Sequence, residues 1–451
     1  MDKLGILRRY GLFDAKVPRY TSYPPANRFL AGVGARNQKD WLQGLHPDDP
    51  VSIYAHIPFC RRLCWFCACR TQGTKTLSPV KSYVDDLIRE IEAVAALHPG
   101  PLPMARLHLG GGTPTLLNRK LMGRLLGAFH QAFTKTADFE FSVEIDPTEV
   151  TPGILEELAH WGMTRASIGV QDFDPAVQQA IGRLQSHQQT SAVVRDLRRL
   201  GVNSLNVDLL YGLPHQTADT LVRTLEQVIA LQPDRIALYG YAHVPHVSKR
   251  QVMIPAGALP DAETRFSHAQ LAKERLEALG FSAIGIDHFA LPADSLAIAA
   301  KTGKMRRNFQ GYTDDPCHTL IGFGASAISR TPQGYLQNAV STAAYRARVQ
   351  DRGLAAHKGY LLTPDDEMIA CLIDQIMCDG AIDVGETCNR FPEHRQEITS
   401  VLAGLAQRFA DILEPSGPSV FLRPELNAAA RLIAADLDQS LMEHHVHSLA
   451  I

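Results

Sequence analysis

Six short β-rich runs alternate with longer amphipathic runs at roughly one βα unit each. The strand candidates begin near Val51, Arg106, Phe139, Arg165, Ser204 and Arg235, and helical periodicity fills 80–97, 120–133, 152–161, 190–200 and 217–231. This rhythm predicts a parallel sheet with right-handed crossovers, either open and doubly wound or curled into a barrel. Polar or glycine positions recur at the same end of these strands: Gly110 to Gly112 after the second, Glu144 after the third, Gln171 after the fourth, Asp208 in the fifth and Tyr241 to His243 after the sixth. In parallel βα architectures the carboxyl end of the strands is where ligands bind, so these residues are expected to converge on one site.

The loop after the first strand carries Cys60, Cys64, Cys67 and Cys69, half of the eight cysteines in the chain. Thiols gathered so closely are more often soft metal ligands than disulfides when a protein resides in a reducing compartment. Zinc favours a closed set of four ligands, usually from two knuckles, and no second Cys-x2-Cys or His pair follows. Three thiolates at Cys-x3-Cys-x2-Cys suit a cubane iron-sulfur cluster better, with one iron left open for a chelating ligand. Zinc stays the alternative, and free thiols or disulfides rank behind both.

Bulk properties exclude several classes. A formal net charge of -2 and a hydrophobic content of 45% disfavour a general nucleic-acid binder. No stretch reaches the roughly 18 apolar residues of a spanning helix, and the start of the chain lacks a leader pattern, so a cytoplasmic location is expected. From about residue 356 the pattern becomes helical. The expected organisation is an N-terminal arm over 1–46, a βα domain over 47–290, an extension over 291–355 and a mainly helical C-terminal domain over 356–451.

The cysteine spacing resembles the signature of the radical S-adenosylmethionine (SAM) enzymes. Further stretches resemble the oxygen-independent coproporphyrinogen III oxidases nearly end to end, at 18–24, 56–60, 110–115, 169–173, 208–214, 241–245, 287–290 and 307–313. The stretch 18–24 (Pro-Arg-Tyr-Thr-Ser-Tyr-Pro) and the fourth cysteine, Cys69, separate these oxidases from their haem-delivery relatives, which typically lack both. The resemblance implies an α/β fold, a partial, open βα barrel of six repeats. It implies a 4Fe-4S cluster on Cys60, Cys64 and Cys67, and one-electron cleavage of SAM to a 5'-deoxyadenosyl radical. The reaction implied is decarboxylation of two propionates of coproporphyrinogen III to vinyl groups in haem biosynthesis.

By the same resemblance, Tyr54, Phe66, Gly111, Gly112, Thr113, Glu144, Gln171, Arg183, Asp208, Ala242 and Ile328 bind SAM, with a second SAM beside the first. Cys69 lies on the substrate side and does not ligate iron. In the arm stretch 18–24, stiffened by two prolines, the aromatics and the single arginine (Arg19, Tyr20 and Tyr23) suit a lid over a flat, polyanionic tetrapyrrole, and an arm that merely packs on the barrel is the equal alternative. Implied partners are a flavodoxin- or ferredoxin-like electron donor and an electron acceptor of unknown identity; the protein is expected to be a monomer without nucleic acid. Two stretches depart from the family pattern: Ala68 stands where relatives commonly have glycine, and the tail 443–451, with His444, His445 and His447, lacks an arginine-containing end.

Overall fold

The computed structural model describes residues 2–438, so the histidine-bearing tail lies outside the described residues. Among them, twelve strands form one sheet. The first six are β1 (Val51–Ile57), β2 (Leu102–Gly111), β3 (Phe133–Ile145), β4 (Met163–Gln171), β5 (Ser204–Tyr211) and β6 (Arg235–Gly240). They pair in parallel and in chain order. This is the partial six-repeat βα barrel. Helices Ser78–Ala95, Arg119–Ala132, Pro152–His160, His187–Arg199 and Ala218–Ile229 make the crossovers. Their apolar faces bury Leu87, Leu125, Leu158, Leu197 and Leu225 against the outward side chains of the strands, among them Ile53, Leu107 and Val207.

The sheet does not close. Beyond β6 come two short antiparallel strands, β7 (Ser282–Ile284) and β8 (His288–Ala290), with β8 next to β6. Between them the chain turns at Gly285, whose φ is +57° and where a Cβ would sit 2.0 Å from the Tyr312 ring. On the other edge β9 (Thr319–Phe323) pairs in parallel with β1. Antiparallel strands β10 (Ile328–Thr331), β11 (Gly334–Asn338) and β12 (Ala356–Leu361) follow. The sheet therefore runs past residue 356, and the helical region starts with helix Pro364–Cys378. No helix among the described residues is long and apolar enough to cross a membrane.

The arm is packed into the C-terminal region. Leu7, Leu12, Phe13, Tyr20 and Tyr23 share one core with Leu372, Ile376, Leu426 and Ile433. Two arginines hold its backbone: Arg431 donates from Nε to the Pro18 carbonyl (3.1 Å) and from Nη2 to that of Val17 (2.7 Å). Arg307 donates from Nε to the Tyr20 carbonyl and from Nη2 to that of Arg19, both at 3.1 Å.

Glu90 secures the seam between β9 and the first crossover helix. Fully buried, it accepts from the Gly324 amide (2.8 Å), Asn338 Nδ2 (2.8 Å) and the Tyr345 hydroxyl (2.7 Å). Burial outweighs these three donors and pushes its pKa up to about 7. A carboxyl whose folded pKa lies above its unfolded value of 4.5 stabilises the fold below that value, and the contribution is lost as pH rises through 7. Relative to Glu90→Gln, the wild-type chain is expected to lose about 3 kcal/mol between pH 4.5 and 7. Urea denaturation across that range checks this; parallel pH profiles for the two proteins contradict it.

Candidate active site

The cysteine loop leaves β1 and is tied down by backbone hydrogen bonds. The Gly112 amide donates to the Ile57 carbonyl (2.7 Å), that of Thr113 to Phe59 (2.8 Å), that of Gln72 to Pro58 (2.7 Å) and that of Thr74 to Cys60 (2.9 Å). Gln251 Nε2 donates to the Phe66 carbonyl (2.7 Å) and Ser248 Oγ to that of Cys67 (2.9 Å). A Cβ on Gly112 would lie 2.6 Å from the Phe59 carbonyl oxygen and 2.9 Å from that of Ile57, so only glycine permits this approach.

Donors reach two of the three candidate ligands. Thr113 Oγ1 lies 3.6 Å from Cys60 Sγ, and Arg183 Nη1 lies 3.5 Å from Cys64 Sγ. Arg183 is buried; it pairs with Asp146 (3.0 Å) and donates from Nη2 to the Gly169 carbonyl (2.7 Å), while its Nε has no hydrogen-bond partner among the described residues. The fourth cysteine behaves differently. A hydrogen bond from Cys69, with further help from Arg250 and Arg183, lowers the Cys67 pKa to about 6 against the cost of burial. Cys69, facing that thiolate, is pushed well up. Burial pushes Cys60 up to about 11, so its ionisation depends on a bound cation.

Three thiols on one tightly tethered loop, two of them with polar donors and one that ionises readily, fit a cubane cluster. No group of three His, Cys, Asp or Glu side chains among the described residues is gathered around a single metal ion. A cubane does not require such a group, because each thiolate takes a different iron.

Cys69 is exposed to a chamber of about 560 Å³ inside the barrel. Tyr54, Gly111, Glu144, Asp208 and Ile328 line the same space. Glu144 accepts from the Gly111 amide at Oε2 (2.9 Å), with His108 Nε2 3.4 Å from Oε1. Burial alone would raise its pKa, but His108 and the Gly111 amide lower it. His56 Nε2 donates to the Arg70 carbonyl (3.0 Å), which leaves Nδ1 to accept from the Tyr54 hydroxyl (2.9 Å). The Tyr54 ring stacks on His108 with centroids 5.7 Å apart. Asp208 accepts from Ser167 Oγ (2.9 Å) and Asn206 Nδ2 (2.7 Å), and burial raises its pKa.

Gln171 and Arg183 lie beyond the chamber wall, near Gly169, with Gln171 at φ +72°. Phe66 packs against a small apolar cluster containing Val177 and Leu213. Ala242 and Arg19 line a second, adjacent cavity. The Tyr20 side chain is buried in the C-terminal core, and its hydroxyl donates to Asp438 Oδ2 (3.2 Å). Sequence reasoning passed over His108, Ser142, Ser167 and Asn206 as chamber-lining residues. Their signal was period-two polarity on strands that should be apolar on both faces: Tyr54 and His56, Arg106 and His108, Ser142 and Glu144, Arg165 and Ser167, Asn206 and Asp208.

Comparison with known proteins matches this geometry to a family. A family model described as the radical SAM superfamily matches residues 54–228. The anaerobic coproporphyrinogen III oxidase 1 of Cereibacter sphaeroides is 47% identical over 439 residues, 97% of each chain. The chain belongs to the oxygen-independent coproporphyrinogen III oxidase family. Another member, from Paracoccus denitrificans, is 46% identical over the whole of both chains. The solved coproporphyrinogen III oxidase of Escherichia coli, described as a radical SAM enzyme, superposes with a TM-score of 0.90 at 33% identity, covering 95% of this chain and all of that one. As a family member, the chain is a radical SAM oxidoreductase that uses a 4Fe-4S cluster and SAM.

Cys60→Ser, Cys64→Ser and Cys67→Ser are each expected to abolish the cluster, whereas Cys69→Ser should retain near-normal iron and sulfide. Metal and sulfide analysis after anaerobic reconstitution checks this; a cluster lost with Cys69 reverses the ligand assignment. Gly112→Ala should weaken SAM binding about tenfold or more by forcing the 57–59 backbone aside, with helix content unchanged. Equilibrium dialysis and circular dichroism measure the two effects, and unaltered SAM affinity counts against the proposed loop constraint.

Proposed function

We propose that this chain converts coproporphyrinogen III to protoporphyrinogen IX without oxygen, by oxidative decarboxylation of two propionate side chains. The observation that carries the reading is the opening of Cys69, on the same loop as the three candidate cluster ligands, into a chamber lined by Tyr54, Glu144 and Asp208. Cys60, Cys64 and Cys67 would hold the cluster; Gly111, Gly112 and Thr113 would border SAM, and Glu144 and Asp208 would accept from its hydroxyl and amino groups. Bound there, the two cofactors supply one-electron chemistry strong enough to remove an unactivated β-hydrogen atom. Each propionate loses that hydrogen atom, carbon dioxide and one electron, which passes to an acceptor.

The chain's own residues position and shield. Thr113 and Arg183 direct donors at Cys60 and Cys64, and hydrogen bonds to cluster sulfurs raise the reduction potential. Tyr54 is oriented by His56, itself fixed by the Arg70 carbonyl, so its ring is held over the chamber. Cys69 opens into the chamber and stands as a hydrogen-bond donor toward substrate. Tyr20 acts through position, since its carbonyl and that of Arg19 are held by Arg307. Ile328, on the same chamber wall, would border a second SAM molecule beside the first.

A flavodoxin- or ferredoxin-like donor supplies the electron. Arg61 and Arg62 flank the cysteines but pair with Glu149 (3.0 Å) and Asp146 (3.6 Å), so much of their charge is compensated locally.

The anaerobically reconstituted protein, given coproporphyrinogen III, SAM and a reductant, is expected to yield the divinyl product with one carbon dioxide per vinyl group. Cys69→Ser should contain the cluster and bind SAM while product formation falls about tenfold or more, on the order of one hydrogen bond to a charged group. Chromatography of the oxidised porphyrins reads both results. SAM cleavage without any vinyl product in the wild-type protein overturns the reading.

A further inference from the structure

A second cavity, about 430 Å³, lies between the barrel, the arm and the C-terminal region. Five cationic side chains line it, Arg19, Arg265, Lys273, Arg307 and Arg431, against two carboxylates, Asp287 and Glu425. The barrel chamber is balanced, with four arginines and four carboxylates. The chain as a whole has a net charge of -2, so this excess of positive charge is local. The two cavities share Tyr239, His288, Phe309 and Gln310 as a common wall.

We propose that this cavity binds the propionate carboxylates of the tetrapyrrole, presenting one edge of the ring through the shared wall to the barrel chamber. The inference rests on the reading above and adds to it where the substrate sits and which residues recognise it. Charge separates the two ligands. SAM bears one carboxylate against an ammonium and a sulfonium, and so is net cationic and suits the balanced chamber; a tetracarboxylate suits the cavity with surplus cations.

The arginines are held as a receiving site requires. Arg307 is buried, spends Nε and Nη2 on the arm carbonyls, and has a buried Nη1 with no hydrogen-bond partner among the described residues. An orphaned cationic donor of this kind costs free energy unless an anion meets it. Burial, followed by the positive charges of Arg19 and Arg307, lowers the Arg431 pKa to about 10, a crowding that bound carboxylates relieve. Nearby, the Arg307 guanidinium stacks over the Tyr312 ring at 4.2 Å, which fixes the plane of its fork. Arg19 is exposed toward the cavity, and its Nη2 donates to the Gly240 carbonyl (3.3 Å) at the end of β6.

The test is binding of coproporphyrin III, the stable oxidised ring with the same four carboxylates, to the reconstituted full-length protein by anaerobic fluorescence titration. Its tetramethyl ester is the comparison ligand. The free acid is expected to bind at least tenfold more tightly than the ester, with affinity falling as salt rises. Arg307→Gln should weaken the acid about tenfold or more, with Arg307→Lys recovering part of the loss. Because Arg307 also supports the arm, the double variant Arg19→Gln/Lys273→Gln, neither residue of which holds arm backbone, should weaken it several-fold while iron content and SAM affinity stay at wild-type values. Equal affinity for acid and ester, or unchanged acid binding in both sets of variants, overturns the proposal. Variants that bind normally while the wild-type enzyme forms vinyl product sink this site and leave the function standing. Arginine-dependent acid binding without product in the wild type sinks the function and leaves a tetracarboxylate site.

Discussion

The backbone contact between Gly112 and residues 57–59 governs the site more than any side chain does. Two amides, from Gly112 and Thr113, donate to the carbonyls of Ile57 and Phe59 and so join the ends of β1 and β2 to the root of the cysteine loop. The same short stretch sends the Gly111 amide to Glu144 and the Thr113 hydroxyl toward Cys60. Loop, carboxylate and thiol are thereby placed relative to one another by a segment of four residues, Gly110 to Thr113. Displacement at Gly112 moves all three together, which ties backbone geometry at a strand end directly to cofactor placement.

The barrel interior departs from the usual apolar filling of parallel strands. Its inward faces carry charged and hydroxyl groups, while the outward faces pack against the crossover helices. Burying that polarity is costly unless each group is met, and most are. Asp208 has Ser167 and Asn206, Glu144 has Gly111 and His108, and Arg235 forks onto Asp294 with both side chains 2% exposed. The polar groups therefore cross-link neighbouring strands and stiffen the wall that faces the ligands. Stability and preorganisation come from the same bonds.

The six-strand rhythm and the cysteine loop were legible because both are local: a parallel strand buried on two faces reads as a continuous apolar run, and its crossover helix follows within the same βα unit. The interior polar residues were legible only in part. Glu144 stood out at a strand end and Asp208 as a lone acid inside an apolar strand, whereas His108 and Ser167 lie mid-strand without a charge that is out of place there, and read as surface until the barrel curvature turns them inward. Strand β12 was hidden for a different reason. Ala356–Leu361 contains exposed His357 and half-buried Lys358, and it becomes a strand only through pairing with β11 and an isolated bridge to Leu30. Nonlocal pairing of that kind leaves little periodic trace.

The arginine-lined cavity could not be read from the sequence, because its cations come from the arm, from helix Ala262–Ala278, from the segment near 307 and from the last described helix, Ala430–Leu437. Their convergence explains why the arm belongs to the fold. Leu7, Leu12 and Phe13 complete the C-terminal core, and Arg431 and Arg307 grip the four consecutive carbonyls from Val17 to Tyr20. That grip satisfies arm carbonyls which would otherwise be short of partners and brings the Arg19 guanidinium to the cavity rim. A freely swinging lid would have to break four charge-assisted hydrogen bonds and expose apolar core at every opening, a cost of several kcal/mol. Admission of a flat, multiply charged ring is therefore achieved with the arm docked, as part of the wall that receives it.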